Sequence, residues 1–194
     1  MDDDVRKSLI FLRDRVLHGE PRRLLSEVGR TFHLYTDACY EDGKGSLGGV
    51  LFDETGSMLS YFSEVASPEV VAMLNPSGKK GMIFELETLA TALAVGSLLP
   101  GAAVRPCDRI VIFLDNESSL ARLVSGSGSL TPDGILFDAI LRWEFDVKAV
   151  CWYERVASHS NVADDPSRGV CGHFDSSLRI NVDPMHFLRE ITSA

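Results

Sequence analysis

Hydrophobic and polar positions divide the chain into a short N-terminal helix and a longer α/β region. Within residues 5–17, apolar side chains recur at helical spacing, and charged residues occupy the other side. Gly19-Glu20-Pro21 ends this helix. We expect residues 1–30 to be an appendage of helix and linker, or the tail of an upstream domain, and residues 31–194 to form the main domain.

Three closely spaced strand-like runs open the main domain. They cover residues 32–37, 47–52 and 58–65. Short turns that contain glycine, at residues 41–45 and 53–56, separate them. Because such turns join neighbouring strands of opposite direction, the pattern predicts an antiparallel meander.

Helices and strands then alternate. A Leu- and Ala-rich pattern predicts a helix over residues 83–99 that ends before Pro100, and the nearly unbroken apolar run at 109–114 predicts a central strand, parallel to the first. The later segments are a helix at 116–124, a loop at 125–129, a helix at 132–145, a strand at 147–153, and turns and helix from 161, with an amphipathic segment near 184–191. The order predicts an α/β fold with a mixed five-stranded sheet, three antiparallel strands followed by two parallel ones, flanked by helices.

Composition and charge narrow the function classes. The chain has 19 Lys and Arg against 28 Asp and Glu, so its formal net charge is −9. This balance argues against a polycationic nucleic-acid coat or a basic membrane-surface helix. The N-terminus is acidic, unlike a secretory signal, and no apolar stretch approaches the ~20 residues of a membrane span. We therefore expect an intracellular protein, cytoplasmic or nuclear, with no membrane partner.

Cysteines point to neither disulfides nor structural zinc. The four are Cys39, Cys107, Cys151 and Cys171, and no two form a C-x-x-C pair. Cys171-Gly172-His173 is interpreted as a free thiol beside a loop histidine.

Four acidic residues lie where an open α/β sheet collects its functional groups, at strand ends and helix starts. They are Asp37, Glu85, Asp115 and Asp164. If the first and central strands are neighbours, their ends bring Asp37 and Asp115 together. Crowded carboxylates repel one another, and divalent cations that prefer oxygen ligands relieve this repulsion. Two Mg²⁺ ions ~3.5–4 Å apart are the known arrangement for displacement at phosphorus, which suggests a phosphodiester hydrolase.

With these motifs the sequence resembles the ribonuclease H superfamily, and most closely the RNase H domains of LTR- and DIRS-type retroelement reverse transcriptases. The resemblance covers roughly residues 32–168. The matching motifs are Tyr35-Thr36-Asp37-Ala38 with Gly45, Gly48 and Gly49, Glu85-Leu86, Leu114-Asp115-Asn116, and Ser158-His159-Ser160-Asn161-Val162-Ala163-Asp164 followed by Ser167-Arg168.

The resemblance implies an RNase H-like fold and a two-metal nuclease. Asp37, Glu85, Asp115 and Asp164 would bind two Mg²⁺ ions, for which Mn²⁺ can substitute, with Asp37 bridging both. The family hydrolyses the RNA strand of RNA–DNA hybrids and leaves 5′-phosphate ends. His159 matches a histidine on a mobile loop near the site. The N-terminal helix resembles the tail of a connection region, which implies an upstream polymerase domain as a partner.

Two positions leave an alternative open. Glu87 competes with Glu85, because at about 100° per residue the two side chains diverge by about 200° and only one can face the end of the sheet. We favour Glu85, since it places Leu86 and later leucines on a packing face. Asp165 competes with Asp164, and the pattern that ends in Ser167-Arg168 favours Asp164.

Candidate substrate contacts lie close to these acids. Lys79 and Lys80 could touch phosphates, although a solvated loop explains them equally well. Asn116 and the backbone near Ala38 and Cys39 could meet the 2′-hydroxyls of an RNA strand. Because the chain has no basic substrate-binding extension, we expect modest, salt-sensitive affinity for an isolated duplex.

Two other functions remain as hypotheses. One is a structure-selective DNA nuclease of the same superfamily. The other is an inactive RNase H-like module that tethers or holds a duplex, although such modules typically lose a carboxylate and here all four positions are filled.

Overall fold

The computed structural model describes residues 3–18, 29–78, 81–125 and 132–193. A mixed five-stranded sheet forms its centre, with strand order β3-β2-β1-β4-β5. The strands are β1 (Thr31–Glu41), β2 (Lys44–Phe52), β3 (Met58–Ala66), β4 (Arg109–Leu114) and β5 (Val150–Arg155). The helices are α1 (Asp3–His18), α2 (Pro68–Leu74), α3 (Ile83–Gly101), α4 (Glu117–Ser125), α5 (Pro132–Val147), α6 (Asp164–Ser167) and α7 (Pro184–Ser193).

Strand pairing confirms the predicted sheet. β1–β2 and β2–β3 are antiparallel, whereas β1–β4 and β4–β5 are parallel. The first and central strands are therefore neighbours, with Tyr35 opposite Phe113 as the last pair of their register. The last strand begins at Val150 rather than 147, because α5 continues to Val147 and Lys148 then turns the chain with φ 57°.

Helix α3 forms the middle of the core. All residues from Leu86 to Val95 are buried, so this helix has no polar face. It does not end before Pro100, as predicted, but includes Pro100 in its last turn and ends at Gly101. A proline there removes only one backbone donor, and the N–H of Ala102 closes the helix on the carbonyls of Leu99 and Pro100.

Helix α3 also corrects the expectation about apolar stretches. Its 19 residues and a mean hydropathy of 1.4 are sufficient, by length and composition, to cross a membrane. Of the 18-residue stretch of α3 with this hydropathy, 67% is buried inside the fold, which is typical of a core helix.

The short helix α2 was not among the predicted elements. Ser67 caps its N-terminus by accepting a hydrogen bond from the backbone N–H of Val70 at 3.4 Å, and Pro68 occupies the first turn. Both features are helix-start signals, and Val70 and Leu74 pack one turn apart in the core.

Two hydrophobic clusters lie on opposite sides of the sheet. The larger one joins β1, β2 and β4 to α3, α5 and α7. The smaller one contains Val50, Tyr61 and Ala163. Ala163 directly precedes α6, so this cluster holds α6 against the antiparallel half of the sheet.

Apolar side chains of helix α1 that the structure describes are exposed. Those described are Leu9, Ile10, Leu12, Val16 and Leu17, between 43% and 83% exposed. Most of the proposed linker, residues 19–28, lies outside the described residues. The domain boundary at residue 30 therefore stays a prediction. All four cysteines have free thiols.

Candidate active site

Asp37 and Asp115 lie side by side where β1 and β4 run in parallel. Tyr35 and Phe113 form the last pair of the two strands, and two residues further along each strand direction lie Asp37 and Asp115. Asp37 is 5% exposed, whereas Asp115 is half-buried at the end of its strand. The structure thus brings these two predicted acids together at one edge of the sheet.

Helix α3 brings Glu87, the alternative left open above, to this edge rather than the favoured Glu85. The hydroxyl of Thr91, one turn after Glu87, lies 3.0 Å from the hydroxyl of Thr36, the neighbour of Asp37 in β1. Residues four apart share a helix face, so Glu87 faces this end of β1 and Glu85 points elsewhere. The packing of leucines does not distinguish the two glutamates, because α3 is buried on all sides from Leu86 to Val95 and has no single packing face there.

Glu87 is a buried carboxyl with negative neighbours. Its pKa is raised to about 8, mainly by burial; the charges of Asp115 and Asp37 contribute to the rise, and a hydrogen bond with Asn116 opposes it. Asn116 also caps α4, where its Oδ1 accepts hydrogen bonds from the N–H groups of Ser118 and Ser119 at 2.8 and 3.2 Å. Asn116 is thereby fixed by the helix cap while it holds Glu87.

Asp37 is the electrostatic centre of the site. Its pKa is raised to about 6, mainly by burial; a hydrogen bond from Ser167 opposes the rise, and the charges of Asp115 and Asp164 contribute to it. The Ser167 hydroxyl donates to Asp37 Oδ2 at 2.5 Å. Asp37 therefore interacts with carboxylates from β4, α3 and α6.

Asp164 reaches the site at the first turn of α6. Its Oδ1 accepts a hydrogen bond from Arg168 Nε at 2.9 Å, and Arg168 Nη1 also contacts Glu41 Oε1 at 2.9 Å. Its competitor Asp165 instead contacts His173 Nε2 at 3.2 Å. The geometry thus favours Asp164 over Asp165 as the fourth carboxylate.

Asn161 and Gly48 explain why α6 lies there. Asn161 Nδ2 donates to the carbonyl of Thr36 at 3.0 Å, directly before Asp37 in β1. Gly48, opposite Asp37 in β2, leaves space for the α6 backbone: an added Cβ would lie 2.5 Å from the nitrogen of Ser167. The absent side chain lets the helix approach the strand.

The remaining predicted residues lie around this centre or outside the described chain. His159 is exposed in a single 3₁₀ turn, and within the described residues it forms no ion pair. Ala38 and Cys39 continue β1 beyond Asp37, so their backbone lies beside the site. Lys79 and Lys80 lie outside the described residues.

The donors at this edge suit a hard cation. All four are carboxylates, and their mutual repulsion in a largely buried setting is the condition that a divalent ion relieves. Across the parts of the chain that the structure describes, no group of three or more His, Cys, Asp or Glu side chains is close enough together to hold a metal ion by itself. Mg²⁺ is usually held by one or two carboxylates and keeps several waters, so water or substrate oxygens would complete the ligand set of an ion bound here.

Sequence reasoning missed the supporting residues more than the acids. The sequence motifs include Ser167, Arg168 and Asn116, and Asn116 is also a predicted substrate contact, but no sequence signal indicates that these residues hold the acids. A signal for Glu87 was present, because Thr91 is a polar residue one turn later in an apolar helix, and Thr36 is a second one beside Asp37. Pairing these two threonines would have selected Glu87.

Solved ribonuclease H structures share this fold. RNase H1 from the halophilic archaeon Halobacterium salinarum NRC-1 is 15% identical, with a TM-score of 0.54 over 72% of this chain and 96% of that chain. LC11-RNase H1 in complex with an RNA/DNA hybrid is 16% identical, with a TM-score of 0.56 over 69% and 91%. The N-terminal RNase H domain of rv2228c from Mycobacterium tuberculosis is 12% identical, with a TM-score of 0.54 over 74% and 97%. The predicted RNase H-like fold is confirmed.

No family model matches the sequence, and no curated protein matches it. At 12–16% identity, the structural likeness shows the fold alone.

Proposed function

We propose that this chain is a metal-dependent nuclease that hydrolyses the RNA strand of RNA–DNA hybrids. The observation that carries the proposal is the convergence of Asp37, Glu87, Asp115 and Asp164 at one edge of an RNase H-like sheet. A fold shared with RNase H1 enzymes, one of them solved with an RNA/DNA hybrid, supports this substrate class.

These carboxylates would hold two Mg²⁺ or Mn²⁺ ions. Bound there, the ions supply activation of a water molecule and stabilisation of the leaving oxygen. Asp37, which interacts with all three other acids, would be shared between the ions. Glu87 replaces Glu85 in this ligand set.

The surrounding residues prepare the site before substrate arrives. Asn116 orients the Glu87 carboxyl, and Ser167 and Arg168 hold those of Asp37 and Asp164. Burial of Asp37 and Glu87 limits their exposure to water, which strengthens their interaction with a cation. The protein would therefore contribute a fixed set of carboxylate oxygen donors, held at an edge of the sheet from which water is partly excluded.

Substrate contacts are proposed from position. The backbone of Ala38 and Cys39 continues past Asp37 along β1, where it could meet the RNA 2′-hydroxyls. Asn116 could also contact these hydroxyls, although its side-chain amide already forms hydrogen bonds with Glu87 and with the first turn of α4. Lys79 and Lys80 are proposed phosphate contacts, and His159 is proposed to assist product release.

A polymerase region upstream is the proposed partner, and a retroelement reverse transcriptase the proposed context. The exposed apolar side chains of α1 support this, because they suit contact with a neighbouring domain. The proposed location is the cytoplasm or the nucleus, where such hybrids form.

The test is cleavage of a labelled hybrid in Mg²⁺ by the full chain. We expect cuts in the RNA strand with 5′-phosphate ends, and loss of at least about 100-fold in Asp115→Asn. Glu117→Gln is the matched control, because Glu117 is an exposed acid two residues away whose described ion pair is with Arg155. The proposal would be rejected if Asp115→Asn cut the hybrid as fast as wild type, or if wild type cut branched DNA and left the hybrid intact. Absence of both cutting and Mn²⁺ binding would favour an inactive tether module.

A further inference from the structure

Ser167 lies at the junction of two halves of the candidate site. Its side chain is fully buried, and its hydroxyl lies 2.5 Å from Asp37 Oδ2 and 2.8 Å from the main-chain carbonyl oxygen of Asp164. Asp37 belongs to β1 and Asp164 to α6, two elements far apart in sequence. One hydroxyl thus connects the carboxylate at the centre of the site to the segment that carries the fourth carboxylate.

This contact restricts the orientation of Asp37. A serine hydroxyl has one proton, and a carboxylate oxygen is a stronger acceptor than a main-chain carbonyl. The hydroxyl therefore donates to Oδ2, and among the described residues it is the one hydrogen-bond donor to this carboxylate. This hydrogen bond holds Oδ2 towards α6 and thereby restricts the orientation of the carboxylate.

We propose that Ser167 is a positioning residue, which holds the Asp37 carboxylate in the orientation that binds divalent cations. This inference rests on the proposed function, because it concerns the same metal site. Ser167 would not contact the ion or the substrate, and it acts through Asp37 alone.

Arg168 shows that the same short segment positions a second acid. Its Nε donates to Asp164 Oδ1 at 2.9 Å, and its Nη1 contacts Glu41 in β1 at 2.9 Å. Two consecutive residues thus each contact a carboxylate of the site.

Ser63 offers a matched control for Ser167, because its hydroxyl also contacts α6. Its hydroxyl donates to the carbonyl of Pro166 at 2.7 Å, so it attaches the same helix to β3 without contacting any carboxylate of the site. Ser63→Ala and Ser167→Ala each remove one hydroxyl from the α6 interface. A difference between them in metal binding therefore isolates the contact with Asp37.

The experiment measures Mn²⁺ binding to the full chain without substrate, from the electron paramagnetic resonance signal of free Mn²⁺, together with kcat and KM on a hybrid. We expect Ser167→Ala to weaken Mn²⁺ binding by about tenfold and to lower kcat with little change in KM, whereas Ser63→Ala stays within about twofold of wild type. Ser167→Cys, which is slightly larger than serine and donates only weakly, should follow Ser167→Ala and serves if the alanine variant does not fold.

The outcomes separate the two proposals. If wild type binds Mn²⁺ and cuts hybrids but Ser167→Ala and Ser167→Cys match Ser63→Ala, the positioning role is overturned and the proposed function stands. If wild type neither binds Mn²⁺ nor cuts hybrids, the proposed function itself fails, and this inference fails with it.

Discussion

Glu87 shows how a single residue's role depends on which way a helix is turned. The sequence places two glutamates two positions apart, and both begin a Leu- and Ala-rich helix. Their identities and spacing predict that one of them joins Asp37 and Asp115, but not which one. The rotation of α3 is set by tertiary packing around its whole circumference, and a pattern of leucines does not report it. The other three acids were predictable because strand ends and the α6 motif fix their positions more directly.

The first prediction compares the two glutamates. Glu87→Gln should lower hybrid cleavage in Mg²⁺ by at least about 100-fold, because a neutral amide is a much poorer ligand than a carboxylate. Glu85→Gln, the matched control, should stay within about threefold of wild type. The measurement is the initial rate of RNA-strand cutting at saturating Mg²⁺. Equal losses in both variants would show that the assignment of Glu87 is wrong.

The second prediction concerns pH and stability without metal. The pKa of Glu87 is about 8 in the folded chain and near 4.5 when unfolded, so the folded state binds more protons between these values. Its stability therefore falls as pH rises through this window. In EDTA, the Tm of wild type should drop between pH 6 and pH 8 by about 2–8 °C more than that of Glu87→Gln. Parallel curves for the two proteins would contradict a raised pKa at this position.

At the scale of elements, the sheet was predictable and the docking of α6 was not. Short glycine turns and a continuous apolar run indicate three antiparallel and two parallel strands, and the order of strands follows. The attachment of residues 161–168 depends on contacts across more than 100 residues, such as Asn161 with the carbonyl of Thr36 and Ser63 with that of Pro166. No local pattern encodes such contacts, although Gly48 marks the place where a backbone approaches.

The third prediction tests the close contact between Gly48 and the backbone of α6. In Gly48→Ala the added Cβ would meet backbone atoms of Ala163 and Ser167 at 2.7 and 2.5 Å, which cannot move as a flexible side chain can. We expect the free energy of unfolding to fall by about 1–3 kcal/mol, with a loss of hybrid cleavage as α6 and Asp164 shift. Urea unfolding measures the first effect. Gly101→Ala is the control, because no neighbouring atom lies within 4 Å of its added Cβ, and a comparable loss there would refute the explanation.

For the whole molecule, the net charge of −9 becomes part of the proposed activity rather than evidence against it. Four of the 28 acids would be ligands, and two bound divalent cations would change the formal charge to −9 + 4 = −5. A chain that stays acidic binds a nucleic acid weakly by charge alone, so delivery of the hybrid by a partner domain is consistent with the proposed polymerase context.

The fourth prediction follows from the same carboxylate repulsion. Mg²⁺ should raise the Tm of wild type by several degrees, since a ligand that binds only the folded state stabilises it. Asp37→Asn should raise the Tm of the metal-free protein, because it removes one of the repelling charges, and should abolish most of the response to Mg²⁺. Thermal melts with and without Mg²⁺ decide this. An unchanged Mg²⁺ response in Asp37→Asn would exclude Asp37 from the site.

Location of Mn²⁺ by anomalous diffraction, in a crystal of this chain soaked with the ion, tests the central claim most directly. The account predicts two ions that share Asp37, with Glu87, Asp115 and Asp164 as the other carboxylate ligands and no ligation by Glu85. No ion at this edge of the sheet, or ions ligated by Glu85 while Glu87 remains unligated, would contradict it.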